Sequence, residues 1–188
     1  MGDHGPANAG RDDPAKPVVF VYLAKSKVTD TELKELAAFK GLFLNETRIT
    51  DAGLKELASL RTLQMVMLTK TQVTDAGLKH LAGLQELRDL GLTGSQVTSA
   101  GLKELAPLKR LRKLLLADTQ VNDAGLKELA ALIELQELSL SGTQLTDAGL
   151  KELAGMKELQ FLLIDRTRVT DAGVKELQAA LPKLQIIR

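Results

Sequence analysis

The hydroxyl residues that recur along the chain are the first candidates for chemistry. A nucleophilic hydroxyl needs a base within hydrogen-bonding reach, and the sequence has only two His residues, His4 and His80. His80 stands in a column that is otherwise filled by Glu. We therefore expect the hydroxyls to satisfy backbone groups at turns and not to act as nucleophiles. The column consists of Ser26, Thr47, Thr71, Ser95, Thr119, Thr143 and Thr167.

A second column is made of carboxylates. It consists of Asp30, Asp51, Asp75, Asp123, Asp147 and Asp171, with Ser99 interrupting it. Stacked carboxylates could bind Ca²⁺, which takes six to eight oxygen ligands. Each copy brings only one Asp, however, and the column falls at predicted helix starts, so we expect helix capping. The sequence predicts no metal site and no cofactor.

A third column contains Lys and is followed directly by a column of Glu. The Lys residues are Lys34, Lys55, Lys79, Lys103, Lys127, Lys151 and Lys175, and the Glu residues are Glu35, Glu56, Glu104, Glu128, Glu152 and Glu176. Lys alone would favour phosphate binding. The Glu residues neutralise it, and aromatic residues for base stacking are missing from it. This pattern predicts a solvated surface of mixed charge and no nucleic-acid partner.

Composition narrows the class of protein further. The 188 residues carry a net charge of +1, are 44% hydrophobic and include no Cys. Disulfides and thiolate chemistry are therefore excluded, and the apolar content suffices for a folded core. No apolar run approaches the length of a membrane span, so we expect no membrane insertion. No secretory signal is visible as written, which is compatible with the cytoplasm or with export after removal of a signal.

One phrase is repeated along most of the chain. It reads roughly V-T-D-A-G-L-K-E-L-A-x-L-x-x-L-x-x-L-x-L-x-x-T, and Val73, Val97 and Val121 open copies that are 24 residues apart. The first copy, which begins at Val28, is 21 residues long. We expect a repeat domain of about seven units over residues 18–188 and a flexible tail, rich in Gly, Pro, Ala and charge, over residues 1–17.

The second half of each unit carries a family resemblance. The segment "LRKLLLADTQV", Leu111 to Val121, fits the pattern L-x-x-L-x-L-x-x-N/C-x-L, with Thr119 where Asn or Cys is usual. The chain resembles the leucine-rich repeat family, and more narrowly its bacterial "VTDAGLKELA" variety, which is ribonuclease-inhibitor-like in repeat style. The resemblance implies an α/β right-handed horseshoe, with a parallel sheet on the concave face and short helices on the convex face.

The residues support this interpretation independently. Leu90 and Leu92 alternate as in a strand with one buried face, whereas Leu78 and Leu81 have helical spacing. Strands stack at about 4.8 Å and helices at roughly 8–10 Å, so the stack must curve with its strands inside. A Gly column at the helix starts indicates close approach of neighbouring repeats, because Gly otherwise costs about 1 kcal/mol there. Glu32 replaces this Gly in the first unit.

The strand residues that flank the buried Leu are free to form a binding face. Four of the five aromatic residues lie at these positions, and exposed apolar patches commonly mark interaction sites. We expect Gly91 to leave a slot before Leu115. The aromatic and Met residues could instead pack on each other or be covered by the N-terminal tail. The candidate partner-binding residues are Phe20, Tyr22, Phe43, Met65, Met67, Gly91, Leu115, Phe161 and Leu163.

The sequence therefore predicts a non-enzymatic module that binds an unidentified protein or peptide on its concave face. In the leucine-rich repeat family such surfaces generally serve protein recognition. Two alternatives remain open. One is self-assembly through the open final strand, which ends at Arg188, so that the chain is either a monomer or a weak homo-oligomer. The other is an enzymatic site built from Asp89, Lys113 and Glu137, although these charges could simply pair across adjacent strands.

Overall fold

The structure, a computed structural model, describes residues 19–188. The predicted tail over residues 1–17 lies outside the described residues. Eight three-residue strands form one parallel sheet in which each strand pairs with the next one along the chain. They are β1 (Phe20–Tyr22), β2 (Gly41–Phe43), β3 (Met65–Met67), β4 (Asp89–Gly91), β5 (Lys113–Leu115), β6 (Glu137–Ser139), β7 (Phe161–Leu163) and β8 (Gln185–Ile187).

A short helical segment connects each strand to the next. The α-helices are α1 (Asp51–Leu57), α2 (Asp75–Leu78), α3 (Asp123–Leu129), α4 (Asp147–Glu152) and α5 (Asp171–Ala180). The segments Asp30–Leu36, Lys79–Leu81, Ser99–Leu105 and Leu153–Gly155 are 3₁₀ helices. The predicted parallel sheet alternating with short helices is therefore confirmed.

The apolar residues of all units form one continuous core. The middle residue of each inner strand is fully buried, as Leu90 and Leu114 show. The register places each of these residues against its equivalent in the next strand, so that Leu90 pairs with Leu114 and Leu114 with Leu138. The apolar side chains of the helical segments, such as Leu102 and Leu105, join the same core. None of the helices within residues 19–188 is long and apolar enough to cross a membrane.

The prediction that the Asp column caps its own helices is wrong. The capping residue is the one before each Asp, because the Thr74 hydroxyl accepts a hydrogen bond from the N–H of Ala76 at 3.2 Å. The Asp75 carboxylate instead accepts hydrogen bonds from the N–H and the hydroxyl of Thr98 in the next repeat, at 2.8 and 2.6 Å. The same two bonds join Asp30 to Thr50, Asp51 to Thr74, Asp123 to Thr146 and Asp147 to Thr170.

We call these Asp–Thr pairs the carboxylate ladder. The ladder joins repeats to each other, whereas a cap would only close a helix within one repeat. Hydrogen bonds from the hydroxyl and the N–H of Thr170 lower the pKa of the Asp147 carboxyl, because they stabilise its charged form. Each Asp still lies in the first turn of its helical segment, where a negative charge is favoured.

The Gly column makes room for this ladder. A Cβ added at Gly101 would overlap with Oδ1 of Asp75, and Gly53, Gly77, Gly149 and Gly173 face an Asp of the preceding repeat in the same way. The predicted close approach of repeats is thus confirmed. In the first unit, Glu32 accepts hydrogen bonds from the N–H and the hydroxyl of Thr29, at 2.7 and 2.9 Å. These bonds lower the pKa of the Glu32 carboxyl.

Apart from Ser95, the hydroxyl column has the structural role that the sequence predicts. Thr71 donates to the carbonyl oxygen of Leu68 at 2.8 Å, and Thr119 donates to that of Leu116 at 2.6 Å. Thr47, Thr143 and Thr167 make the equivalent bond. Ser95 is buried, and its hydroxyl has no hydrogen-bond partner among the described residues. The hydroxyls that bond in this way are tied to their own turns.

Candidate functional site on the concave face

The first and third residues of each strand point away from the core and together form the concave face. Parallel pairing in register arranges them as two columns that run across the sheet. The first column is Phe20, Gly41, Met65, Asp89, Lys113, Glu137, Phe161 and Gln185. The third-residue column is Tyr22, Phe43, Met67, Gly91, Leu115, Ser139, Leu163 and Ile187.

The N-terminal end of this face carries an aromatic group, which consists of Phe20, Tyr22 and Phe43. The rings of Tyr22 and Phe43 stack with centroids 4.3 Å apart and planes 11° apart. The Phe20 ring lies 6.4 Å from that of Phe43 and covers Gly41, where an added Cβ would come within 2.6 Å of its Cε1 atom. Tyr22 nevertheless remains 72% exposed and Phe20 43% exposed. The aromatic group is ordered by its own contacts and still offers ring surface to solvent.

The predicted slot at Gly91 is occupied. A Cβ added at Gly91 would lie 2.6 Å from the sulfur of Met67, so the Met67 side chain extends across the glycine. Met67 is only 9% exposed, and Gly91 is buried. A long, flexible Met side chain is suited to filling such a gap. Met67 and Gly91 therefore form the floor of the concave face, while the neighbouring Met65 is half-buried.

Charged residues occupy the centre of the first column. Nζ of Lys113 lies 2.9 Å from Oε1 of Glu137, so these two side chains pair across adjacent strands. Asp89, on the other side of Lys113, makes no hydrogen bond or ion pair through its carboxylate within residues 19–188. Burial raises the pKa of the Asp89 carboxyl, Lys113 lowers it, and Glu137 raises it.

A second apolar group lies at the C-terminal end of the face. It consists of Phe161, Leu163 and Ile187, of which Phe161 is 39% exposed, Leu163 is half-buried and Ile187 is 48% exposed. Ile187 is absent from the residues selected from the sequence. The signal for it is the repeat period, which places Ile187 in the same column as Leu163 although the Leu spacing in the last unit is irregular. Leu115 lies between the two apolar groups and is half-buried.

The rim beside the strand ends is charged and tightly turned. The third residue after each of the first seven strands has a positive φ, whether it is Gly, as at Gly94 and Gly142, or not, as at Asp118 and Arg166. Asp118 and Arg166 form an ion pair of 3.0 Å that crosses Gly142. Both signs of charge are present on the rim. It therefore resembles the mixed polar border that surrounds many protein interfaces.

His80 and the hydroxyls weighed for nucleophilic chemistry do not come together. His80 lies in the helical segment Lys79–Leu81 and not on the sheet, and the bonded hydroxyls of the Thr column are directed at backbone carbonyls. Within the described part of the chain, no group of three or more His, Cys, Asp or Glu residues is placed to hold a metal ion. The concave face thus offers ring surface, aliphatic surface and one unpaired carboxylate.

Comparisons with known proteins agree with this architecture. A family profile described as Leucine Rich repeat matches residues 134–154. Among solved structures, the chain is similar to internalin C2 of Listeria monocytogenes, with 28% identity and a TM-score of 0.74 over 89% of this chain and 69% of that one. A leucine-rich repeat protein of Leptospira interrogans shows 27% identity and a TM-score of 0.74 over 89% of this chain. No curated protein matches the sequence significantly.

A further internalin of Listeria monocytogenes shares the fold, at 24% identity and a TM-score of 0.63 over 89% of this chain and 52% of that one. The chain spans only 42% of the Leptospira protein, so it corresponds to less than half of that molecule. The architecture is a leucine-rich repeat solenoid like that of the internalins, a fold that is typically a protein-binding module and usually non-catalytic.

Proposed function

We propose that this leucine-rich repeat solenoid is a binding module whose concave face recognises a protein or a peptide. The exposure of Tyr22 and Phe20 beside the stacked Phe43 is the observation that carries the proposal. Aromatic rings that are held in place and still exposed offer large contact area at low entropic cost. The fold points the same way, because leucine-rich repeat surfaces are typically protein-binding, although a fold by itself does not fix a function.

The proposed contact surface extends across the whole sheet. Eight strands at about 4.8 Å spacing give a face roughly 34 Å long, which can accommodate a folded partner or an extended peptide. Phe20, Tyr22, Phe43 and Met65 would contact the partner at one end, and Leu115, Phe161 and Leu163 towards the other. Met67 and Gly91 would support the floor beneath it. Ile187 joins the second group because of its exposure.

The same proposal includes the narrower class of the module. We infer that it belongs to the bacterial "VTDAGLKELA" variety with ribonuclease-inhibitor-like repeats, and that it acts by binding and not by catalysis. The ion pair between Lys113 and Glu137 supports this, because it gives two of the three residues of the alternative enzymatic site a structural role. The partner class is protein or peptide, since the Lys and Glu columns balance and give no basic surface for nucleic acid.

Capture from a native lysate tests the proposal. Wild type, the double variant Tyr22→Ala/Phe43→Ala and the control Ile133→Ala would be immobilised and the retained proteins identified by mass spectrometry. Ile133 is 68% exposed but lies outside the sheet, so its replacement removes exposed apolar surface elsewhere. We expect a protein that wild type and Ile133→Ala retain and the double variant loses. Retention of the same proteins by all three forms would place the binding site off the concave face.

Self-association is a second candidate function, favoured by one observation at the C-terminal edge. Within the described residues, β8 pairs only with β7, and Ile187 on it is 48% exposed. An unpaired strand edge with exposed apolar surface can pair with another copy. Light scattering over a range of concentrations, with Ile187→Lys as the blocking variant, distinguishes the two functions. A monomer at high concentration argues against self-association.

A further inference from the structure

The centre of the concave face holds two carboxylates and one ammonium group. Asp89, Lys113 and Glu137 occupy the first position of three adjacent strands, and their charges sum to −1. Lys113 is engaged with Glu137 at 2.9 Å. With one ammonium group for two carboxylates, one of the carboxylates has no close ion-pair partner in the structure.

In the structure this carboxylate is Asp89, which is half-buried. Arg88 and Arg112 lie near enough to influence the Asp89 carboxyl, but neither forms an ion pair with it. Arg112 is directed to Glu134 at 3.2 Å. A half-buried carboxylate without a hydrogen-bond donor is costly to keep, since the charges of Lys113, Arg88 and Arg112 offset its desolvation only in part. A cation supplied from outside would remove that cost.

The distances from Asp89 to the two apolar groups determine how many residues of an extended peptide would separate their contacts. Counted in strand steps of about 4.8 Å, β2 with Phe43 lies about 10 Å from β4 on one side. On the other side, β7 with Phe161 and Leu163 lies about 14 Å from β4. An extended peptide advances about 3.3 Å per residue. The distance of about 10 Å therefore corresponds to about three residues of extended peptide, and that of about 14 Å to about four.

On these grounds, and resting on the function proposed above, we propose that Asp89 receives a basic side chain of the partner. The basic residue, Lys or Arg, lies in an extended segment between two apolar residues. One apolar residue is about three positions away and packs on the aromatic group, and the other is about four positions away on the opposite side and packs on the second apolar group. The aliphatic stem of the basic residue would lie against Met65, whose side chain is half-buried in the neighbouring strand.

Selection from a random peptide library displayed on phage, with the full chain as bait, tests this proposal. The forms to compare are wild type, Asp89→Asn, Asp89→Lys and the control Glu35→Gln. Glu35 is exposed in the helical segment Asp30–Leu36, so the control makes the same charge change away from the sheet. Circular dichroism establishes that each form is folded before selection.

We expect wild type and Glu35→Gln to enrich peptides with Lys or Arg at the stated spacing from apolar residues. Asp89→Asn should bind these peptides about tenfold or more weakly, because truncating one partner of a desolvated charge pair is costly. Asp89→Lys should enrich Asp or Glu at the same place. Peptides that lose binding to Tyr22→Ala/Phe43→Ala but contain no enriched basic residue would overturn the Asp89 proposal and leave the proposed function standing.

Other outcomes separate the two proposals further. If the selected peptides bind Tyr22→Ala/Phe43→Ala as well as wild type, the concave face is not the site and both proposals fail. If wild type selects no peptide, the Asp89 proposal in its extended-segment form is overturned. The proposed function is then decided by the lysate experiment, which does not depend on a peptide.

Discussion

Ser99 and Asn122 form an inter-repeat pair that keeps the backbone hydrogen bond of the carboxylate ladder and reverses its side-chain hydrogen bond. The Ser99 hydroxyl accepts from the N–H of Asn122 at 2.9 Å and donates to the side-chain oxygen of Asn122 at 2.9 Å. In the other pairs the Asp carboxylate only accepts, and the Thr hydroxyl donates. Asn122 still caps α3, because its side-chain oxygen accepts from the N–H of Ala124 at 3.0 Å. Two simultaneous replacements in neighbouring repeats thus preserve both the link and the cap.

The first prediction concerns this link. Asp75→Ala removes two hydrogen bonds to Thr98 and should lower the free energy of unfolding by about 2 kcal/mol, since bonds to charged groups are among the stronger ones. The double variant Asp75→Ser/Thr98→Asn copies the natural pair and should recover roughly half of that loss. Equilibrium denaturation in urea measures both. Lys79→Ala, at an exposed position of the same connection, is the control. Equal losses in the Ala variant and the double variant would contradict the ladder.

The second prediction concerns the Gly column. Gly101→Ala places a Cβ against the Asp75 carboxylate and the Asp75 backbone, so we expect a loss of about 1–3 kcal/mol in the free energy of unfolding. Gly155→Ala is the matched control, because no atom lies within 4 Å of its added Cβ. It should be neutral, or stabilising by about 0.4–1 kcal/mol through the unfolded state. Thermal denaturation compares the two, and similar losses at both positions would remove the packing argument.

The sequence was sufficient to predict the repeat, the parallel sheet and the two columns of the concave face. Period and alternation determine these features, as the buried Leu90 and Leu92 illustrate. The identity of the helix caps could not be predicted in the same way. An Asp and the Thr before it both favour helix starts, and only the distance between repeats shows that Asp75 bonds to Thr98. The sequence does contain one signal for this bond. The Asp column is interrupted at Ser99, and the column of Thr residues that precede each Asp is interrupted at Asn122, one repeat later.

The prediction of an open slot at Gly91 was wrong for a different reason. Sequence periodicity states which residue occupies a position, but not which neighbouring side chain fills the space above a glycine. The Met67 side chain has enough rotatable bonds to extend across Gly91 in the adjacent strand. The same property made its exposure unpredictable from the strand pattern. Phe20 over Gly41 is a second instance of a large side chain that covers the glycine of the next strand.

The third prediction concerns Asp89 and pH. Burial raises the pKa of this carboxyl in the folded protein, so its charged form is disfavoured by folding. The resulting destabilisation is complete above the folded pKa and vanishes as the pH falls below the ordinary pKa of Asp. Asp89→Asn should therefore raise the free energy of unfolding at neutral pH, with the gain disappearing at acidic pH. Urea denaturation at several pH values measures it, and Glu35→Gln provides the baseline. A loss of stability at neutral pH would mean that Asp89 has a favourable partner in the fold.

The last prediction separates folding from binding within the aromatic group. Tyr22 is 72% exposed and its main contact is the stacked face of Phe43, so Tyr22→Ala should lower the free energy of unfolding by about 1 kcal/mol or less. Phe43 is half-buried and contacts both other rings. Its replacement by Ala should cost more, about 2 kcal/mol, because it removes buried surface as well as stacking.

This difference makes Tyr22→Ala the cleaner test of recognition. Chemical denaturation of the two single variants, followed by titration with a protein captured by wild type, gives stability and affinity separately. We expect Tyr22→Ala to remain folded and to bind about tenfold more weakly, which corresponds to about 1.4 kcal/mol. If Tyr22→Ala destabilises the chain as much as Phe43→Ala does, the exposed ring is part of a cap over the core of the first repeat. Its exposure would then no longer argue for a partner.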